Sequence, residues 1–280
     1  MGKIAGAVIL YNPDENLVKR VNSYIGQLER LYVIDNSEQP GELQFESNKI
    51  VYVANRVNKG IATGLNQAAG LAIQDQMEWL LTMDQDSWFE QGSITSYLDC
   101  FSHFGDKESI ACFGVEFLDH HPDSKTCEVA KVSRMITSGT LMNLNSYRDI
   151  GPFNEELFID QVDFEYCYRA VLKGFVNIQF TNIVLKHALG TSSEYRSFKN
   201  FSPSKRSLHA PVRLYYMTRN YLYVRKRYKM HFPSEILHSK KDLINRIKNN
   251  LLYGKNKTAV VSNIIVGLLD YYRGKMGRKH

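Results

Sequence analysis

Apolar residues open the chain as one short unbroken run, Ile4-Ala5-Gly6-Ala7-Val8-Ile9-Leu10, the pattern of a strand buried on both faces. Tyr11-Asn12-Pro13-Asp14 breaks it as a turn, and Pro13 and Asp14 suit a helix start. Leu17, Val18, Val21, Tyr24, Ile25 and Leu28 then recur at helical spacing. Leu31 to Ile34 is a second strand run, closed by Asp35-Asn36-Ser37, and Lys49 to Ala54 a third. Gly60 to Ile73 has a helical pattern, and Trp79 to Met83 is a fourth strand. Strands alternating with helices at this rhythm predict an α/β fold with a mostly parallel, doubly wound sheet. Further on, Ser138-Gly139 is a small-residue kink inside an apolar run. Gly151-Pro152 leads into an amphipathic helix with Asp160, Asp163 and Glu165 in its first turn, and Ile183-Val184-Leu185 is another strand. After His187 the sheet pattern stops. Tyr215, Tyr216, Arg219, Asn220, Tyr221, Tyr223 and the cations after them read as an aromatic, basic helix with a solvated face. Val260, Val261, Ile264, Ile265, Leu268, Leu269 and Tyr272 line one face of a last helix.

Ligands of such sheets collect beyond the carboxyl ends of the strands. That rule singles out Tyr11, Asn12, Asp35, Asn55, Asn58 and Asp84-Gln85-Asp86. Asp84 follows its strand directly and Asp86 stands two residues on, so both carboxylates can turn to one centre. Two carboxylates there are costly unless a cation compensates them. There is no Walker motif and no Gly-x-Gly-x-x-Gly. The segment Asn58 to Asn66 opens a helix and offers backbone N–H groups to a phosphate or sugar, although glycines that simply pack a helix give the same pattern. Acids in a first helical turn, likewise, either complement the dipole or carry chemistry.

Composition narrows the class. The 280 residues are 44% hydrophobic and 23% charged, enough apolar material for a core and too little bias for disorder. No run reaches the roughly 20 apolar residues of a membrane span, and no signal peptide is read at the start. Cys100, Cys112, Cys127 and Cys167 lie too far apart for a zinc or redox motif and read as reduced cytosolic thiols. The net charge of +6 is divided: residues 1–185 carry 14 Lys and Arg against 25 Asp and Glu, residues 186–280 carry 21 against 4. An acidic body suits a divalent cation. A basic end suits phosphates on a nucleic acid, an anionic lipid surface or a lipid-linked phosphate, and no nucleic-acid recognition motif accompanies it.

The order of Asp35, the Asn58 segment, Asp84-Gln85-Asp86, Ser138-Gly139, Gly151-Pro152-Phe153-Asn154-Glu155 with Asp163, and His187 resembles that of family 2 glycosyltransferases, nucleotide-sugar enzymes of the GT-A fold. The resemblance covers roughly residues 3–190 and is strongest, over 79–87 and 158–169, to bacterial rhamnosyltransferases of surface-polysaccharide assembly. Val162 departs from the Glu that many relatives carry there. The resemblance implies a catalytic domain over 1–190 and a helical basic region over 191–280 that serves acceptor or membrane contact. It implies donor binding by Tyr11, Asn12, Asp35, Asn58, Gly60, Asn66, Asp84, Ser138 and Gly139, with Asp35 accepting from the pyrimidine N–H. Mg²⁺ or Mn²⁺ falls to Asp84, Asp86 and His187. Asp163 is the implied general base of an inverting single displacement, and Arg219 and Asn220 take an acceptor role. The implied reaction moves L-rhamnose from dTDP-rhamnose to a hydroxyl of a glycan or lipid-linked glycan. A UDP-linked glucose, galactose or N-acetylhexosamine is the alternative donor, and nucleotidyl transfer the rival chemistry, for which Tyr11 to Asp14 lacks a phosphate loop. The implied location is cytoplasmic, with the last helix either packed on the core or resting on the inner face of the bacterial plasma membrane.

Overall fold

The computed structural model describes residues 2–116, 126–188, 192–196 and 203–279, and of 192–196 and 203–207 the backbone alone. The chain divides into two compact units, Met1–Phe158 with Val162–Ala188, and Ile159–Gln161 with Leu189–His280.

The first unit is a sheet with helices. Its strands are β1 (Ile4–Leu10), β2 (Arg30–Asp35), β3 (Ile50–Ala54), β4 (Trp79–Asp84), β5 (Ser87–Phe89), β6 (Ile110–Glu116), β7 (Val129–Val132), β8 (Thr140–Asn143) and β9 (Val176–His187). The helices are α1 (Leu17–Asn22), α2 (Ile61–Gln74), α3 (Ser93–His103), α4 (Leu144–Ile150) and α5 (Val162–Leu172). The strand order is β3-β2-β1-β4-β8-β6-β9-β5, with β7 also on β9. The ladder β3-β2-β1-β4 is parallel throughout, as its continuous apolar runs predict. Beyond it β8 inserts antiparallel between β4 and β6, and β6 and β9 are parallel again. The second half of the sheet is therefore mixed.

The twelve residues of β9 change outer partner along their length. Residues 177–180 pair with β7, and Leu185, Lys186 and His187 pair with Phe89, Trp88 and Ser87 of β5. This second pairing decides where His187 stands.

The core on one face centres on Trp79, Phe101, Phe113, Phe180 and Tyr97, with ring centroids 4.8–5.8 Å apart. Tyr97 is fully buried, and its hydroxyl both donates to the Phe113 carbonyl (2.7 Å) and accepts from the Leu141 N–H (3.2 Å). On the other face α2 lies close on β1, because Gly64 presents no side chain where a Cβ would meet Ile9 at 2.8 Å.

The cysteines correct the sequence reading. Cys100 of α3 is disulfide-bonded to Cys127, with Cα atoms 5.5 Å apart, and only Cys112 and Cys167 are thiols. A pairing across 27 residues leaves no spacing signal in the sequence.

The second unit has an antiparallel pair, β10 (Ser192–Arg196) and β11 (Pro203–Ser207), where the sequence predicted no strands after His187. Three helices follow: α6 (Pro211–Tyr228), α7 (Pro233–Tyr253) and α8 (Lys257–Tyr272). Leu214, Met217 and Val260 form their small core, with Leu243, Ile247, Leu251 and Ile264 against it. Gly267 lets α8 approach α6, since a Cβ there would meet the Tyr215 carbonyl oxygen at 2.8 Å. The apolar stripe read on α8 is therefore split: Val260 and Ile264 turn inward, whereas Val261, Ile265, Leu269 and Tyr272 are exposed, Tyr272 at 79%. Among the described residues no helix is long and apolar enough to cross a membrane.

Candidate functional site

In the order β3-β2-β1-β4 the direction of winding reverses between β1 and β4, and the crevice beyond their carboxyl ends is where open α/β sheets bind ligands. Tyr11 and Asn12 leave β1 there, and Asp84-Gln85-Asp86 leaves β4. Ser87 enters β5 directly afterwards, and its pairing with His187 carries that imidazole to the turn. Ser87 Oγ and Asp86 Oδ1 lie 3.0 and 3.2 Å from His187 Nδ1. One ligand atom each from Asp84, Asp86 and His187 falls within 4.8 Å of the others. The side chains of Asp86 and His187 remain 39% and 38% exposed, so this group faces solvent. Two carboxylates and an imidazole are a donor set for a divalent cation.

The turn is held by residues to which the sequence assigned no role. Gln85 bridges to the end of β1, its Oε1 accepting the Tyr11 N–H (2.8 Å) and its Nε2 donating to the Tyr11 carbonyl (3.2 Å). Arg20, paired with Asp14 at 2.8 Å, donates to the Gln85 carbonyl. Ser37 Oγ accepts the Asn12 N–H at 2.8 Å.

Several residues expected at the donor make hydrogen bonds or close contacts within the fold. Ser138 is buried and its Oγ accepts the Asp84 N–H (3.0 Å), so it positions Asp84. Gly139 has φ +74° and a Cβ there would lie 2.6 Å from Val115, which explains the glycine by packing. Gly60, at φ +82°, faces Phe158, whose carbonyl accepts the Ile61 N–H (2.8 Å), while Asn58 Oδ1 accepts the Gly60 N–H (3.0 Å). The N–H groups of Gly60 and Ile61 are thus taken by protein. Asn66 is saturated: its Nδ2 donates to the Phe153 carbonyl and Glu155, and its Oδ1 accepts from the Phe153 N–H and the Tyr147 hydroxyl, all at 2.8–3.0 Å. It pins the Gly-Pro loop to α2. Asp35 has no exposed surface, its oxygens taking the Ser37 N–H (2.8 Å) and the Tyr52 hydroxyl (2.5 Å). Desolvation and the Asp35 carboxylate raise the Tyr52 phenol well above its usual range, so it stays a donor to Asp35.

Asp163 stands in the first turn of α5. The segment before β8 touches both this turn and the acidic one: Arg134 lies over the Phe164 ring at 4.7 Å, Met135 accepts from the Cys167 thiol, and Ser138 holds Asp84. Burial pushes the Cys167 thiol up to about 12, with Asp163 and Glu165 adding to the shift. Glu165 is buried on Arg169 (3.0–3.1 Å), which in turn donates to the carbonyls of Ile150, Gly151 and Pro152. Glu165 is structural.

In the second unit Asp160, at φ +64°, pairs with Arg213 at 3.2 Å. Arg219 and Asn220, which the resemblance assigns an acceptor role, have no exposed surface. Arg219 donates to Asn220, the Tyr215 hydroxyl and the Gly277 carbonyl, and Asn220 donates to the carbonyls of Ile159 and Asp160.

The chain is similar in sequence and fold to known proteins. Residues 7–126 match the family model Glycosyl transferase family 2. Over 98% of this chain and 97% of the relative, the chain is 27% identical to the dTDP-rhamnosyl transferase RfbF of Shigella flexneri. Among solved structures it is similar to S. aureus TarS, at TM-score 0.54 and 13% identity over 97% of this chain and 49% of that one. It is also similar to GalNAc-T7 with UDP, GalNAc and Mn²⁺, at 0.57 and 11% over 87% and 55%. A shorter TarS, residues 1–349 with UDP-GlcNAc, matches at 0.53 and 13% over 98% and 81%. The chain spans about half the length of the first two of these structures, and identities this low speak for the fold.

Proposed function

We propose that this chain is a family 2 glycosyltransferase similar to rhamnosyltransferases that moves L-rhamnose from dTDP-rhamnose to a hydroxyl of a glycan or lipid-linked glycan, with inversion at the anomeric carbon. The observation that carries the reading is the Asp84, Asp86 and His187 group at the switch point of the sheet. That mixed carboxylate and imidazole set fits Mn²⁺ or Mg²⁺. A cation bound there supplies charge neutralisation for the departing diphosphate, worth several kcal/mol on the scale of Lewis-acid catalysis.

The chain's own residues do the rest. Tyr11 and Asn12, exposed at the end of β1, flank the nucleotide, with Tyr52 presented by Asp35. Gln85, Ser138 and Arg20 keep the acidic turn in place against β1. Asp163 accepts the proton of the attacking hydroxyl on the face opposite the leaving group, the demand that inverting glycosidases also meet. The second unit serves acceptor delivery. Its row Val261, Ile265, Leu269 and Tyr272, beside Lys257, Arg273 and Lys275, suits the interface of an anionic membrane on the cytoplasmic side, where each cation contributes about 1 kcal/mol.

Donor hydrolysis is the test. The purified chain with Mn²⁺ should cleave dTDP-rhamnose faster than UDP-sugars, and Asp163→Asn should lower transfer by about 10²–10⁴-fold. Retention of a tenth of wild-type turnover would remove Asp163 from the mechanism. Stabilisation by nucleoside triphosphates alone would favour nucleotidyl transfer.

A further inference from the structure

A groove of about 700 Å³ lies in the first unit between α1 and the edge of β5 not paired with β9. Its walls carry Asn16, Lys19 and Arg20 on one side and Trp88, Glu90 and Gln91 on the other. Its volume is that of a small-molecule site. Two features of the fold build it. Ser23 Oγ accepts the Phe89 N–H (3.1 Å), tying the end of α1 to β5. Strand alternation does the second part: Ser87 is buried toward His187, so Trp88, its neighbour, turns to the opposite face and stays half-exposed.

One end of the groove is the acidic turn itself. Arg20 donates to the Gln85 carbonyl (3.2 Å), and Ala188, which also lines the groove, donates its N–H to the Asp86 carbonyl (2.8 Å). An occupant therefore abuts the residues of the metal-ligating group. The chemistry of the walls is mixed. There are two amides, cations and a carboxylate, and Glu90 and Lys186 stand 3.8 Å apart across the β5–β9 pairing. Charges of both signs do not select a bare phosphate, and so many polar groups do not select an acyl chain. An indole face flanked by amide and carboxylate groups suits a ring with apolar C–H faces and hydroxyls at its rim.

We propose that this groove holds a pyranose ring of the acceptor glycan, stacked on Trp88. The assignment rests on the glycosyl-transfer reading and adds to it the place where the acceptor ring sits. The chain has only two tryptophans, and Trp79 is buried between Phe101 and Phe113, so a ligand-dependent change in emission belongs to Trp88. Methyl α-L-rhamnopyranoside and methyl N-acetyl-β-D-glucosaminide are the probes, titrated into the full chain without donor. At least one should give a saturable change in emission. Asn16→Phe, at the exposed rim, keeps both tryptophans and should weaken that binding about tenfold or more, in line with a stacked ring contact and its hydrogen bonds. In turnover assays Trp88→Ala and Asn16→Phe should raise the acceptor KM by a similar factor while the donor KM moves less than twofold.

No saturable change in the wild type, or an unmoved titration in folded Asn16→Phe, overturns the groove assignment. A rise in donor KM instead of acceptor KM also overturns it, in favour of a donor-sugar pocket. Absence of donor cleavage by the wild-type chain overturns the glycosyl-transfer reading and this proposal with it, so the two failures are distinguishable.

Discussion

Replacing Asn66 with alanine separates scaffold from ligand contact at the one predicted donor residue whose every polar position is already used. The side chain makes four hydrogen bonds, to Phe153 twice, to Glu155 and to Tyr147. A typical intramolecular hydrogen bond contributes about 0.5–1.5 kcal/mol, and a buried partner left unsatisfied costs about 1–3 kcal/mol. Glu155 is exposed and regains water, whereas the Phe153 N–H and the Tyr147 hydroxyl are only part-buried and regain some. The net loss is therefore about 2–4 kcal/mol. In a unit of this size each kcal/mol moves Tm by about 2–4 °C, which predicts a fall of roughly 4–16 °C. The assay is thermal unfolding followed by circular dichroism, paired with calorimetric titration of dTDP in the presence of Mn²⁺ on protein that is still folded. The expected result is a lower Tm with a nucleotide Kd within threefold of wild type. A Tm within 2 °C of wild type together with a Kd raised tenfold would refute the reasoning and return Asn66 to the donor site.

Three other outcomes follow from single observations. Gly60→Ala puts a Cβ within 2.6 Å of the Phe158 carbonyl oxygen and ring at φ +82°, ψ 166°, a region almost confined to glycine. It should destabilise the first unit by about 2–4 kcal/mol in urea unfolding, and a change under 1 kcal/mol would contradict the contact. His209 is held neutral, its pKa lowered to about 4 by burial and by Arg246 and Arg213. The unfolded chain then binds more protons between pH 6.5 and 4, so stability should fall as pH drops through that window, and His209→Gln should flatten the slope. The unreduced chain, unfolded in denaturant, should alkylate at Cys112 and Cys167 only, and in the native state slowly even there, because burial raises both thiols. Cys100→Ser should cost about 3–4 kcal/mol, the value for a closed loop of this length, and four reactive thiols without reductant would disprove the bridge.

What the sequence disclosed follows from how local each feature is. The strands Ile4–Leu10, Arg30–Asp35 and Trp79–Asp84 are continuous apolar runs followed by polar turns, so the run, its end and the side chains just past that end can all be read in one dimension. This makes Asp84 and Asp86 legible. His187 is legible as a candidate but not as a neighbour, because its position depends on three residues of β5 pairing with the end of β9. The insertion of β8 is hidden for the same reason, four residues being too few to show a period. A polar residue near a site gives the same signal whether it faces a ligand or a carbonyl of the chain. Asn66, Ser138 and Gly60 are of this kind: each is a donor candidate in the sequence, and in the structure each also meets partners within the chain. Arg219 shows the converse error: in a run of cations it reads as solvated, yet Tyr215, Tyr216 and the Gly277 carbonyl satisfy it in full burial.

These scaffold residues explain how an acidic turn keeps one shape. Two carboxylates within 4.8 Å of one another repel, and partly exposed side chains have freedom to part. The restraint acts on the backbone instead. The Asp84 N–H is fixed by Ser138, the Gln85 carbonyl by Arg20, the Asp86 carbonyl by Ala188, and the Gln85 side chain clasps the Tyr11 backbone. Every one of these partners comes from a different element, β8's preceding loop, α1, β9 and β1. The turn's main chain is therefore held from several elements at once. A cation at the proposed site would leave only side-chain rotamers to be fixed, which keeps its reorganisation cost low. The same bonds bring α1 and β5 together at the end of the turn, so the framework that orders the acidic group also shapes the groove beside it.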